Sequence, residues 1–162
     1  MRPSLTHSYL IALGSNTPHP LHGPPKKVLR AAIDALAPLG SVHKTSRLIT
    51  SAPLGPARRQ YANGAALLES EIGPVELLAS LKQIERQFGI RRGGRWRARV
   101  LDLDIIMWSG GIWASSGLLI PHHLFRERDF VLGPASCIAG DWRDPLTGLK
   151  LRHLRARLNK KS

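Results

Sequence analysis

Cysteine is nearly absent from the 162 residues: Cys137 stands alone, which excludes an internal disulfide framework and a cysteine zinc cluster. Long apolar runs are missing too. Tyr9 to Leu13 and Ile105 to Trp108 are among the longest, far short of a bilayer-spanning helix. Met1 to His7 lacks the apolar stretch of a secretion signal. A cytoplasmic protein with no membrane partner is the expectation. Acidic residues are scarce, 11 Asp and Glu against 24 Lys and Arg, giving a formal charge of +13. A small domain so basic meets polyanions: nucleic acid, an anionic membrane surface or a small ligand dense in phosphates. No Walker-type glycine-lysine loop is present, and Gly14-Ser15-Asn16 is too short to carry phosphate recognition. Any phosphate would have to be held by arginines and metal.

What is present suffices for one soluble domain, residues 1–162, with 43% hydrophobic residues to build a core. Residues 1–7 and 159–162 are expected to be flexible ends. Ser8 to Leu13 reads as a strand. After a Pro- and His-rich loop, Lys26 to Leu39 reads as a helix, with Val28, Leu29, Ala32, Ile33 and Leu36 at helical spacing and Pro25 in its first turn. Ser41 to Thr50 reads as a second strand and Tyr61 to Ile72 as a third. Between them Ala52-Pro53-Leu54-Gly55-Pro56 excludes regular structure. Val75 to Phe88 has the stripe Leu77, Leu78, Leu81, Ile84 and Phe88 of a second helix. Val100 to Trp108 is a fourth strand. The order βαββαβ predicts an α+β, ferredoxin-like fold: an antiparallel sheet with both helices on one face. A C-terminal extension follows, with an apolar segment at Leu118 to Ile120, a helix from Phe130 to Ala139, a turn over 141–148 and a short basic helix.

The chemistry concentrates in the fourth strand. Side chains alternate along a strand, so Asp102 and Asp104 share one face, with α-carbons roughly 7 Å apart. Leu101, Leu103 and Ile105 share the other face. Aspartate is a poor strand former, and two like charges among apolar groups repel. A divalent cation relieves that repulsion, and magnesium takes one or two carboxylates, leaving other positions to water and phosphate. The alternative is a polar outer face on an edge strand. Arg91, Arg92, Arg95, Arg97 and Arg99 immediately precede the pair. Their planar donor forks suit phosphate oxygens, and Gly89, Gly93 and Gly94 would let that loop close over a nucleotide. Trp96 could stack on a flat ring or anchor the loop. A second basic group, Arg152 to Lys161, reads as a solvated helix end.

These pieces, in order and spacing, resemble the 6-hydroxymethyl-7,8-dihydropterin pyrophosphokinase family of folate synthesis. The matching stretches are Ile11 to Asn16, Pro53 to Pro56 with Tyr61 and Asn63, Glu85, Arg95-Trp96, Arg99, Leu101 to Ile105, Pro121-His122, Arg128 and Phe130. The resemblance runs from about Tyr9 to Gly148. It implies transfer of the β,γ-diphosphate of ATP, the co-substrate, to the hydroxymethyl oxygen of the pterin. It implies two magnesium ions held by Asp102 and Asp104, with Arg92 and Arg99 also catalytic. It places ATP against Glu85, Arg91, Arg92, Trp96, Arg99, Ile105, His122 and Arg128. It places the pterin against Ser51, Ala52, Leu54, Tyr61, Asn63, Trp96 and Phe130. A monomer with no nucleic-acid partner is expected. Departures from the family pattern fall at Ala52, Arg97-Ala98, Gly117, Leu119 and His123. The rival readings are an RNA-binding module, whose phosphates the aspartate face would repel, and a non-catalytic basic partner protein, which leaves the aspartates without a reason.

Overall fold

The computed structural model describes residues 5–51, 60–89 and 100–161, with Ser51 by its backbone alone. The strands β1 (His7–Ser15), β2 (Ser41–Thr45), β3 (Ile49–Ser51), β4 (Tyr61–Ser70) and β5 (Asp102–Trp108) form one antiparallel sheet. Its order is β2-β4-β1-β5, with β3 also paired to β4. With α1 (Pro25–Ala35) and α2 (Pro74–Phe88) in the connections, this is the expected βαββαβ arrangement. The hairpin β6 (Trp113–Ser115) and β7 (Leu118–Ile120) follows, then α3 (Asp129–Ala139) and α4 (Leu151–Lys160). No helix among the described residues is long and apolar enough to cross a membrane.

Strand alternation sorts the core into two layers. Tyr9, Ile11 and Leu13 of β1, Ala62, Ala66 and Leu68 of β4, and Leu103 and Ile105 of β5 face α1 and α2. Val28, Leu29 and Ala32 meet them from α1, and Leu77, Leu81 and Ile84 from α2. The opposite phase, Leu10, Ala12, Ala65, Ile106 and Met107, packs on Leu132 and Ala135 of α3 and on Leu151 and Leu154 of α4. The C-terminal extension is therefore a third layer that covers the second face of the sheet. A full sheet face this apolar could not stay in water, since each buried Leu or Ile contributes about 1.5–3 kcal/mol. In β5 the phase shifts at a bulge: Met107 pairs with Leu10 and Ile105 with Ile11, so Ile106 is the extra residue.

Several boundaries differ from the sequence reading; the first strand runs His7–Ser15 rather than Ser8 to Leu13. The second strand, expected to be continuous from Ser41 to Thr50, breaks at Ser46 to Leu48. There the Ser46 hydroxyl accepts the Ala65 N–H at 2.9 Å in place of a ladder carbonyl, and Leu48 turns into the core. The third strand ends at Ser70 rather than Ile72, because the Ser70 hydroxyl accepts the Ile72 N–H at 3.1 Å and bends the chain. The first helix stops at Ala35 and tightens into a 3₁₀ turn over Ala37–Leu39, where Pro38 cannot supply a helical N–H. The fourth strand starts at Asp102, two residues after Val100.

One buried ion pair locks the extension in place. Asp144 is fully buried, takes Arg126 through both carboxylate oxygens (Nη2 to Oδ1, 2.7 Å), and also accepts from the Thr147 hydroxyl and the Leu146 N–H. Burial alone would raise its pKa. The hydrogen bonds from Arg126, Thr147 and Leu146, with the Arg126 charge, outweigh burial and hold the carboxyl below its ordinary value. A carboxyl depressed on folding contributes stability that is present above its unfolded pKa, about 3.9, and is lost as pH falls through the folded value. Asp144→Asn should therefore cost about 3 kcal/mol at pH 7, and the gap to the unmodified protein should narrow below about pH 4. Urea unfolding at pH 7 and pH 3 measures both.

Candidate active site

Asp102 pairs with Gly14 and Asp104 with Ala12 across β1; Gly14 in turn pairs with Asn63, and Ala12 with Ala65, across β4. Residues opposite one another on neighbouring strands share a face. The row Asp102-Gly14-Asn63 thus lies beside the row Asp104-Ala12-Ala65, both on the α3 side of the sheet. Leu101, Leu103 and Ile105 point the other way into the core, as the alternation predicts. Between the aspartates and Asn63 the floor is glycine and alanine. A Cβ on Gly14 would stand 3.3 Å from Asn63 Nδ2 and 4.0 Å from Asp102 Cβ, so the glycine keeps a shallow trough open. Tyr61, two residues before Asn63 and on its face, is 40% exposed, and Phe130 in the first turn of α3 is 45% exposed. Two large rings left in water, one of them beside Asn63 on the same strand face, suit a flat ligand.

β5 is the edge strand, and its outer rim is tied down rather than open. Glu85 of α2 accepts the Leu103 N–H, midway between the two aspartates, at 2.7 Å. The N–H of His122 donates to the Ile106 carbonyl at 2.9 Å. Glu85 also pairs with Lys82 at 3.1 Å. Burial raises the Glu85 pKa, and the Asp102 charge adds to this, against the Leu103 N–H and Lys82. The outer edge of β5, α2 and the β6–β7 hairpin enclose a cleft of about 500 Å³. Leu78 and Lys82 line it from α2, Asp104 and Ile105 from β5, Leu118 and Leu119 from the hairpin, and His122 and His123 from the turn after β7. The apolar walls with a few polar groups match a small-molecule site.

Charges converge on Asp104. Burial raises its pKa, and Asp102 raises it further; Lys82, His122 and Arg128 oppose the rise. Burial lowers the pKa of His122, as do His123 and Arg128, while Asp104 and Asp102 pull it back up. The His122 Nδ1 accepts the Leu124 N–H at 3.1 Å, which leaves Nε2 of the neutral ring as the donor. Arg128 lies over the Phe130 ring, 5.9 Å from its centroid. Among the described residues no three His, Cys, Asp or Glu side chains gather as a metal cluster. The available donor set for a cation is two hard carboxylates.

The expected site residues Asp102, Asp104, Ile105, His122 and Arg128 come together around β5, with Glu85 behind them. Asn63 and Tyr61 stand across the trough, and Phe130 stands at the start of α3. The carboxylate of Glu85, expected at the nucleotide, is engaged with Leu103 and Lys82. Gly117, Leu119 and His123, three of the positions read as departures from the family pattern, line the cleft. Ala52, Leu54, Arg91, Arg92, Trp96 and Arg99 lie outside the described residues. Sequence reasoning missed Lys82 and the floor formed by Gly14, Ala12 and Ala65. Lys82 sits three residues before Glu85, and that helical spacing was the available signal.

The model of the family described as 7,8-dihydro-6-hydroxymethylpterin-pyrophosphokinase (HPPK) matches residues 10–140. A Haemophilus influenzae protein named 2-amino-4-hydroxy-6-hydroxymethyldihydropteridine pyrophosphokinase is 40% identical over 134 residues, 81% of this chain and 81% of that protein. One of the same name from Pseudomonas aeruginosa is 37% identical over 138 residues, 83% of this chain and 82% of that protein. A solved Plasmodium falciparum HPPK-DHPS structure superposes with a TM-score of 0.77 at 12% identity. It covers 99% of this chain, which spans 46% of that longer one, and it bears on the fold alone. With the family model matched over most of its length and relatives this similar, the chain belongs to the 7,8-dihydro-6-hydroxymethylpterin-pyrophosphokinase family.

Proposed function

We propose that this protein moves the β,γ-diphosphate of ATP to the hydroxymethyl oxygen of 6-hydroxymethyl-7,8-dihydropterin, over Asp102 and Asp104. The bond from the α,β-bridging oxygen to the β-phosphorus breaks, a bond from that phosphorus to the pterin oxygen forms, AMP leaves with the bridging oxygen, and the hydroxyl proton is released to solvent. The observation that carries this reading is the placement of the aspartate pair. It has a nucleotide-sized cleft on its outer side and the Gly14 trough, with Asn63 and Tyr61, on its inner side. A donor in the cleft and an acceptor in the trough meet only there.

The aspartates fit magnesium. Both donors are hard oxygens, and Asp104 is held in surroundings that disfavour its charge unless a cation is near. Asp102 and Asp104 would hold two magnesium ions. Bound there, the metal neutralises phosphate charge and lowers the pKa of the acceptor hydroxyl. The protein's own work is positioning, which dominates phosphoryl-type transfer. Ile105, with Leu78, provides the apolar wall for the base. Lys82, His122 through Nε2–H, and Arg128 bind phosphate oxygens. Glu85 keeps the Asp102–Asp104 segment in place by holding the Leu103 N–H and orients Lys82. Tyr61 and Phe130 flank the pterin while Asn63, donor and acceptor at once, reads its edge. Arg91 or Arg92, Arg99 and Trp96 complete the nucleotide side on the family resemblance, and Ser51, Ala52 and Leu54 the pterin side. The enzyme acts as a monomer in the cytoplasm.

Incubation with magnesium, ATP and the reduced hydroxymethylpterin should yield AMP and pterin diphosphate in equal amounts. Asp102→Ala and Asp104→Ala should each lower turnover by about a hundredfold or more, with thermal unfolding little changed. AMP at the level of an enzyme-free control, or variants that keep full turnover, would refute the proposal. Gly14→Val should raise the KM for the pterin about tenfold, with the KM for ATP much less affected, because the new methyls fill the trough. Initial rates with each substrate varied in turn separate the two constants.

A further inference from the structure

We propose a second anion site, for a small phosphate-bearing molecule, in the corner between α1 and the break that separates β2 from β3. A cavity of about 270 Å³ there is lined by the cations Lys26, Arg30 and Arg47, with Ile33 and Leu48 as apolar floor. Thr45 and Ser46 bring hydroxyls to it. No carboxylate lines it. All 11 Asp and Glu residues of the chain fall among the described residues. The ion pairs there use Glu69, Glu85, Asp141 and Asp144, and none reaches these three cations.

Three like charges around one cavity repel, and the surrounding backbone adds to the positive potential. Lys26 and Lys27 occupy the first turn of α1, which has no acidic residue. The positive end of a helix disfavours cations and favours anions. Arg30 follows Lys26 by four residues and shares its side of the helix. Arg47 is supplied from across the cavity on a fixed backbone. The Ser46 N–H donates to the Ala65 carbonyl at 2.8 Å, its hydroxyl accepts the Ala65 N–H at 2.9 Å, and that hydroxyl donates to the Arg47 carbonyl at 3.0 Å. Leu48, next in line, is buried. Cations on rigid elements, outside every ion pair among the described residues, gain from a bound anion without the cost of ordering a loop. A doubly charged phosphate satisfies the cations, and the Ile33–Leu48 floor has room for one flat ring beside it.

The corner is remote from the aspartates. In the order β2-β4-β1-β5 it lies at the β2 edge, while Asp102 and Asp104 lie on β5. The separation is three strand spacings, roughly 14 Å. It also opens on the α1 side of the sheet, whereas the aspartates face the α3 side. The site therefore stands whether or not the diphosphate-transfer reading holds.

The test is an amide NMR titration of the full chain, free of magnesium, with AMP in one arm and inorganic pyrophosphate in the other. Saturable shifts at Lys26, Arg30, Ser46 and Arg47 are expected. The triple variant Lys26→Gln, Arg30→Gln, Arg47→Gln, altered only at exposed positions, should bind at this corner at least tenfold more weakly while AMP-forming turnover is unchanged. Binding of AMP tighter than that of the more highly charged pyrophosphate assigns the floor to a ring, and binding of pyrophosphate as tight as or tighter than that of AMP assigns the site to the phosphate groups alone. No saturable shift at the corner in either arm, or shifts there that persist in the triple variant, would overturn the proposal.

Discussion

Two carboxylates one pleat apart on an edge strand repel each other, and the repulsion is worst where water is scarce. Asp104 is in that situation: burial and Asp102 both work against its charge. Fold and surroundings carry the cost. Leu101, Leu103 and Ile105 drive the opposite face of the same short segment into the core. Glu85 holds the backbone between the aspartates from outside, at the expense of burying its own charge, which Lys82 offsets. The arrangement is held by packing and hydrogen bonds in a geometry that a divalent cation would relieve.

The third layer gives the pair its partners. α3 and α4 close the second face of the sheet where Leu10, Ala12, Ala65 and Met107 are apolar. Beyond that cover, the Gly14 trough and the two exposed rings remain. The Arg126–Asp144 pair fixes the turn that separates His122 from Phe130. One buried ion pair thus anchors both the cleft side and the trough side of the site. Breaking it would leave a buried charge without a partner, the costly case for such pairs.

Much of this was legible in the sequence because it is local. Apolar spacing located α1 and α2, and period-two alternation separated Asp102 and Asp104 from Leu103 and Ile105. What escaped depends on contacts distant in sequence. The break at Ser46 arises because a side-chain oxygen replaces a ladder carbonyl opposite Ala65, and nothing in Ser41 to Thr50 by itself signals that. The cover of the second sheet face joins residues of β1 and β4 to helices some seventy or more positions later, beyond any periodicity. Lys82 gains meaning only once Glu85 is seen turned toward Leu103. The trough was hidden because Gly14, Ala12 and Ala65 matter through the side chains they lack. The arginine cluster, the most conspicuous feature of the sequence, falls outside the described residues, and its phosphate role rests on composition and family resemblance.

The proposed diphosphate transfer requires that Asp102 and Asp104 together hold the divalent metal that joins nucleotide to pterin. Manganese, as a paramagnetic substitute for magnesium, allows direct counting. Electron paramagnetic resonance of the protein with manganese, a non-hydrolysable ATP analogue and the pterin should show two bound, mutually coupled ions per chain. Asp102→Ala or Asp104→Ala should abolish the coupling and reduce the count. Two coupled ions that persist unchanged in both variants would contradict the account.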